Sequence, residues 1–157
     1  MRPGVAKRIS TRLAVSANAC AISVVLATNA VAACRINGVS DVAFGDYNVF
    51  ALASNIDGVG NLSIRCTGGS SATVQLSRGL SGNFAPRTMR YGNRVLYYNL
   101  YTTAARNAVW GDGSGGTSVV YVGKNQNGDL DVFGSIPAGQ DAAVGNYIDT
   151  IIVTINF

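Results

Sequence analysis

The sequence predicts an all-β fold, an antiparallel sandwich of short strands. Short runs alternate apolar and polar side chains, β-branched and aromatic residues fill those runs, and turn residues separate them. Eighteen of the nineteen glycines lie beyond residue 33, mostly between the runs.

The first stretch carries a different signal. Arg2, Lys7, Arg8 and Arg12 precede a small, apolar segment from Leu13 to Ala27, and Ala30-Val31-Ala32 follows. A basic start, a short apolar run and a small-x-small site describe a secretory signal, so residues 1–32 are expected to be removed and 33–157 to form one mature domain. Asn18 and Thr28-Asn29 interrupt the apolar run, which is short for a membrane span. The signal would take four of the twelve Lys and Arg residues with it, leaving eight against eight Asp. The formal charge of +4 therefore belongs to the leader, and a neutral mature domain argues against nucleic acid or an acidic membrane surface as partner.

Cys20 lies in that leader. The two cysteines left, Cys34 and Cys66, are expected to form a disulfide in an exported chain. Val31-Ala32-Ala33-Cys34 also resembles a bacterial lipobox, in which Cys34 would be lipidated and Cys66 left single. The disulfide uses both thiols.

Along the domain, Cys34-Arg35-Ile36 opens a strand and Asn37-Gly38 predicts a turn before Val42 to Tyr47. Residues 48–59 read as a loop. Asn61 to Cys66 and Ala72 to Ser77 alternate as strands, joined by the turn Thr67 to Ser71. Arg78 to Arg94, with Arg87 and Arg90, reads as a polar, solvated crossover. Arg94 to Tyr101 is the most aromatic strand, and Thr102 to Ala108 a turn or short helix. Ser118 to Val122 and Leu130 to Gly134 flank Asn127-Gly128, which predicts a hairpin. Pro137 then interrupts any central ladder.

The final segment, Gly145 to Phe157, is the most strongly patterned. Tyr147, Ile151, Val153, Ile155 and Phe157 share one face of a strand, with Ile148, Thr150, Ile152, Thr154 and Asn156 on the other. A strand so apolar needs a partner along both edges or becomes an aggregation site.

Catalytic chemistry is poorly supplied, since the chain has no His and its acids beyond the leader are all Asp. Lys124 has no serine linked to it by spacing. Asp129 and Asp131 face one side of a strand and read as solvated acids. With Asn125 and Asn127 they suggest an oxygen-ligand cation loop, but lack its closing bidentate Glu. No enzyme activity, cofactor or metal is expected. Trp110-Gly111-Asp112-Gly113 reads as a buried Trp before a tight turn rather than a glycan platform.

Several stretches together resemble the spore coat protein U domain. They are Cys34 with Phe44-Gly45-Asp46-Tyr47, Gly60 to Cys66, Leu96 to Tyr101, Trp110 to Gly113, Phe133 to Gln140, and above all Gly145 to Phe157. The resemblance covers the whole mature chain. It implies a subunit of archaic, Csu-type chaperone–usher pili: an immunoglobulin-like sandwich missing one strand. A periplasmic pilus chaperone and then a neighbouring pilin subunit would supply that strand, with assembly at an outer-membrane usher. Tyr147, Ile151, Val153, Ile155 and Phe157 would then edge the strand-exchange groove. The resemblance further implies export through the periplasm to a surface fibre serving adhesion and biofilm formation.

One departure is informative. Shaft subunits of this kind carry a donor segment before the first cysteine, and cleavage after Ala32 leaves only Ala33 there. The expectation is a tip or chain-end subunit. Cleavage after Ala19 would instead free Cys20 to Ala33 as a donor, with Ile22, Val24 and Leu26 in alternation. A stand-alone coat protein, or a glycan-binding surface protein using Tyr91, Tyr121 or Trp110, is the competing reading.

Overall fold

The computed structural model describes residues 33–56 and 58–157, so the expected leader and Cys20 lie outside the described residues. The strands are β1 (Ala33–Ala43), β2 (Val59–Thr67), β3 (Ala72–Leu76), β4 (Arg87–Tyr91), β5 (Arg94–Tyr101), β6 (Val120–Val122), β7 (Asn127–Ser135) and β8 (Val153–Asn156). Among the described residues, one 3-10 turn spans Gly79–Ser81. One antiparallel sheet has the order β1-β2-β7-β5-β4 and the other β6-β3-β8. Their inner faces meet in a core built on Leu62, Ile64, Val74, Leu76, Leu96, Leu100, Trp110, Val132 and Ile136. Each fully buried side chain of this kind contributes about 1.5–3 kcal/mol against leaving it in water.

Three sequence expectations are corrected. Asn37-Gly38 does not turn the chain: β1 runs through it, with Ile36 opposite Ile64 and Gly38 opposite Ser63. Asn37 is thus the extra residue of a bulge, which keeps β1 paired to β2 while shifting its register.

Asn127-Gly128 does not make a hairpin either. β6 pairs with β3 in one sheet, and β7 pairs with β2 and β5 in the other. The chain changes sheets through a turn in which Gln126 N–H donates to Gly123 O and Asn125 takes a positive φ of 55°. Gly128 sits inside β7, where a Cβ would lie 2.9 Å from Val122. This glycine lets two sheets approach rather than letting a chain reverse.

The stretch 78–94, expected as a solvated crossover, contains β4. It forms a hairpin with β5 through Gly92-Asn93, Tyr91 facing Arg94 and Gly92 at φ 55°. Arg87, Thr88 and Met89 are buried within it. At residues 102–108 the turn is observed and no helix forms.

Cys34 and Cys66 face each other across β1 and β2 with their Cα atoms 4.1 Å apart, and they are bonded. This pins the outermost strand of the larger sheet to its neighbour at the sheet's end.

An open cleft between two walls

The final segment shows how the fold stops short. Regular pairing to β3 is confined to Val153–Asn156, with Val74 facing Ile155 and Leu76 facing Val153. The alternation predicted for it extends further. From Tyr147 to Ile155 every odd residue is half-buried and every even one exposed. Tyr147, Ile151, Val153 and Ile155 all pack against the core, yet none is fully buried, whereas Leu62, Ile64 and Cys66 of β2 are. Phe157 departs from the pattern, with 68% of its surface exposed.

Before it reaches β3, this segment passes along β4. Arg90 and Ile148 exchange both backbone hydrogen bonds, at 2.8 and 3.0 Å. Asp149 then fixes the departure: its Oδ1 accepts Leu80 N–H at 2.8 Å and Thr150 N–H at 2.7 Å, and its Oδ2 accepts the Tyr98 hydroxyl at 2.6 Å. Burial, reinforced by the bond to Asp149, pushes the Tyr98 phenol well above its ordinary range.

Beneath this corner lies Arg87, which is 0% exposed. Its guanidinium donates to Ser77 O twice, to Asn99 Oδ1 at 2.7 Å and to Trp110 O at 2.6 Å, and lies over the Phe84 ring. Burial lowers its pKa, opposed by the field of Tyr98 and Asp149. A planar fork with five donors can join β4, β5 and the loops flanking β3 at one point, which an ammonium cannot.

The facing wall comes from the end of β1. Val42 and Phe44 lie on a floor of three glycines. A Cβ on Gly58 would stand 2.6 Å from Phe44, one on Gly60 would stand 2.8 Å from Val42, and Gly134 lies against both side chains. Phe44 meets Tyr98 edge-on at 5.8 Å. Further along, Tyr47 donates its hydroxyl to Pro137 O at 2.8 Å and accepts Gln140 N–H at 3.0 Å. Gln140 in turn binds Tyr97 through both main-chain groups, at 2.7 and 2.9 Å. Asn99 pairs with Ser135, so β7 would next offer Pro137 to Tyr97. Proline has no N–H, and the Gln140 amide makes the pair instead.

Between these walls, residues 41–50 on one side and 142–151 on the other, lies a cleft of about 1030 Å³. Its floor is Met89, Leu96, Tyr98, Leu100 and Ile136, all core residues. Among the described residues, the amides of 44–49 and 143–147 have no hydrogen-bond partner. Some wall carbonyls are engaged, those of Phe44 and Asp46 by Asn55, of Asn48 by Ala51 N–H and of Ala143 by the Tyr147 hydroxyl. Two stretches of free N–H groups over an apolar floor nonetheless fit an extended peptide, which would pair with the walls and bury alternate side chains.

The expected groove-edge residues therefore divide. Tyr147 and Ile151 line the cleft, while Val153 and Ile155 continue the same face into β8. The wall at 41–50 was not foreseen as a wall, although Phe44-Gly45-Asp46-Tyr47 had stood out in the sequence. Trp110 is 0% exposed and donates its indole N–H to Val74 O, so it offers no platform. Tyr91 and Tyr121 are exposed. Asp129 and Asp131 are exposed on β7, with Asp131 accepting from Asn61. Asn125 serves the 67–71 turn by accepting Gly69 N–H. No group of acids and cysteines suited to a metal occurs among the described residues, nor does a helix long and apolar enough to cross a membrane.

A family model for the Spore Coat Protein U domain matches residues 17–154. Protein U of Myxococcus xanthus is 35% identical over 126 residues, covering 73% of this chain and 70% of that protein. Among solved structures, the CsuC–CsuE chaperone–tip adhesion subunit pre-assembly complex from the archaic chaperone–usher Csu pili of Acinetobacter baumannii is similar in fold. The TM-score is 0.52 and the identity 23%, with 80% of this chain aligned to 40% of that one. The chain thus spans less than half the length of that solved chain.

Proposed function

The chain belongs to the spore coat protein U domain family, and from that premise we propose that it is a strand-accepting subunit of a surface fibre of the archaic chaperone–usher type. The observation that carries the reading is the cleft between 41–50 and 142–151, an apolar floor whose borders leave the N–H groups of 44–49 and 143–147 without partners among the described residues. A donated strand would add its hydrogen bonds to these walls and its alternate side chains to the half-buried row from Tyr147 to Ile155. The likeness to a pilus tip subunit held by its chaperone supports the same reading at the level of fold. Export, with removal of residues 1–32, follows from the leader pattern. A periplasmic chaperone would lend the first strand, an outer-membrane usher would host the exchange, and a neighbouring subunit would supply the final strand. Acceptance of one subunit's strand by the next is a head-to-tail contact that extends as a fibre. A place at the tip or chain end, with roles in adhesion and biofilm, is the finer form of this proposal.

Thermal unfolding of the chain beyond residue 32 tests it, alone and with a donor-strand peptide or co-expressed chaperone. A marginal domain whose melting temperature rises steeply with the strand is the expected result. High cooperative stability unmoved by any strand would favour a self-contained coat protein instead.

A further inference from the structure

The charges around the cleft are one-sided. Its lining includes Asp41, Asp46 and Asp149 and no Lys or Arg. Asp149 is engaged by Tyr98, Leu80 and Thr150. Asp41 and Asp46 are exposed, and among the described residues their carboxylates take part in no hydrogen bond or ion pair. Of the nearby cations, Arg94 shares the face of Leu96 and Tyr98 but sits at the hairpin end outside the lining, while Arg90 and Arg106 are turned elsewhere. Arg90 is exposed beside Met89, which lines the floor, so strand alternation directs Arg90 to the opposite face. Arg106 donates to Gly134 O, Ala104 O and Ile56 O and lies over Phe133. At the rim, Phe50 on one wall and Val144 on the other are 89% and 100% exposed.

We propose that the segment which fills this cleft is a basic strand: roughly ten residues long to match the walls, apolar at alternate positions, with Lys or Arg placed to meet Asp41 and Asp46. The proposal rests on the strand-acceptor reading and adds the chemistry of the occupant. Main-chain pairing is indifferent to sequence, so it supplies affinity without choosing a partner. An unpartnered pair of carboxylates at the rim supplies a preference, attracting a cation-bearing strand and repelling an acidic one. The inward row sets which face of the strand enters, and Phe50 and Val144 give it apolar cover at the mouth.

Peptide binding to the chain beyond residue 32 separates the two claims. Three peptides of alternating Val and Thr would be compared, flanked at both ends by Lys, Gln or Glu, with a scrambled peptide as control. At roughly 20 mM salt the Lys-flanked peptide is expected to bind about tenfold more tightly than the Glu-flanked one, a gap closing near 0.5 M salt. The double substitution D41N/D46N should bring the Lys-flanked and Glu-flanked affinities together. Equal binding of all three peptides to the unaltered protein would overturn the basic-strand proposal and leave the acceptor reading standing. A preference that survives D41N/D46N would overturn the assignment to these two carboxylates. Binding of none of the three would overturn the acceptor reading, and this proposal with it.

Discussion

The Tyr98 hydroxyl lies 2.6 Å from Asp149 Oδ2, so β5 in the larger sheet holds the residue at which the final segment leaves β4. Tyr98 also forms part of the cleft floor and receives the edge of Phe44. One side chain therefore touches the floor and both walls. Replacing Tyr98 by Phe keeps the ring and removes the bond, leaving Asp149 with its two backbone donors. Chemical denaturation should show a loss of about 1–3 kcal/mol, as for a hydrogen bond to a charged group.

The same phenol sets an alkaline limit. Its pKa is raised in the fold above the ordinary value near 10, so the folded state keeps its proton longer than the unfolded chain. Stability from this group is fully present below about pH 10 and falls as pH rises beyond it. A denaturation series from pH 8 upward should show this decline, and Tyr98→Phe should flatten part of it. An unchanged slope in the variant would place the alkaline loss on other groups.

The glycine floor under Phe44 has no slack. Gly134→Ala would drive a methyl group into the Phe44 ring and against Val42, with an expected cost of about 1–3 kcal/mol. Phe44→Ala alone should also destabilise. The double variant should cost less than the two singly combined, because the methyl then occupies vacated space. A double-mutant cycle in urea measures that coupling, and strict additivity would show that the ring does not rest on Gly134.

Arg87 is expected to tolerate nothing. Arg87→Met removes the donors of Ser77 O, Asn99 Oδ1 and Trp110 O together, and Arg87→Lys cannot span them. Both should lose at least about 3 kcal/mol in equilibrium unfolding. A lysine variant as stable as the parent would mean that charge, rather than the fork, is what the site requires.

Joining residues 32 apart in sequence, the bond between Cys34 and Cys66 should be worth about 3–4 kcal/mol on the chain-entropy estimate. The double serine variant should unfold at correspondingly lower denaturant, and reduction of the parent protein should reproduce the shift.

What could be read in advance was what lies in local period. The alternation from Tyr147 to Ile155, the strands ending in Cys66 and Tyr101, and the buried Trp110 all follow from residue order within one segment. β4 was concealed because Arg87 and Arg90 look solvent-facing, and only the tertiary acceptors around Arg87 make its burial affordable. Its one legible mark was Gly92-Asn93, a two-residue reversal. Asn127-Gly128 carried an equally strong turn signal and was overridden, since β2 needed a neighbour and Val122 needed the space that a glycine leaves. The expected groove edge lay in the final segment, but the opposite wall did not show. Phe44 is a wall residue because Gly58 and Gly134 lie beneath it, a relation no window of sequence contains.

The position of the disulfide governs how the domain would carry load. Tension arriving along the chain ahead of Cys34 crosses covalently to Cys66. Everything from Arg35 to Arg65, including most of β1 and β2, lies inside the covalent loop and outside the path of force. The outermost strand cannot be peeled from its sheet by a pull on that end. Resistance to stretching is left to the far side of the bond, where Asp149 and the short β8 ladder would give way first.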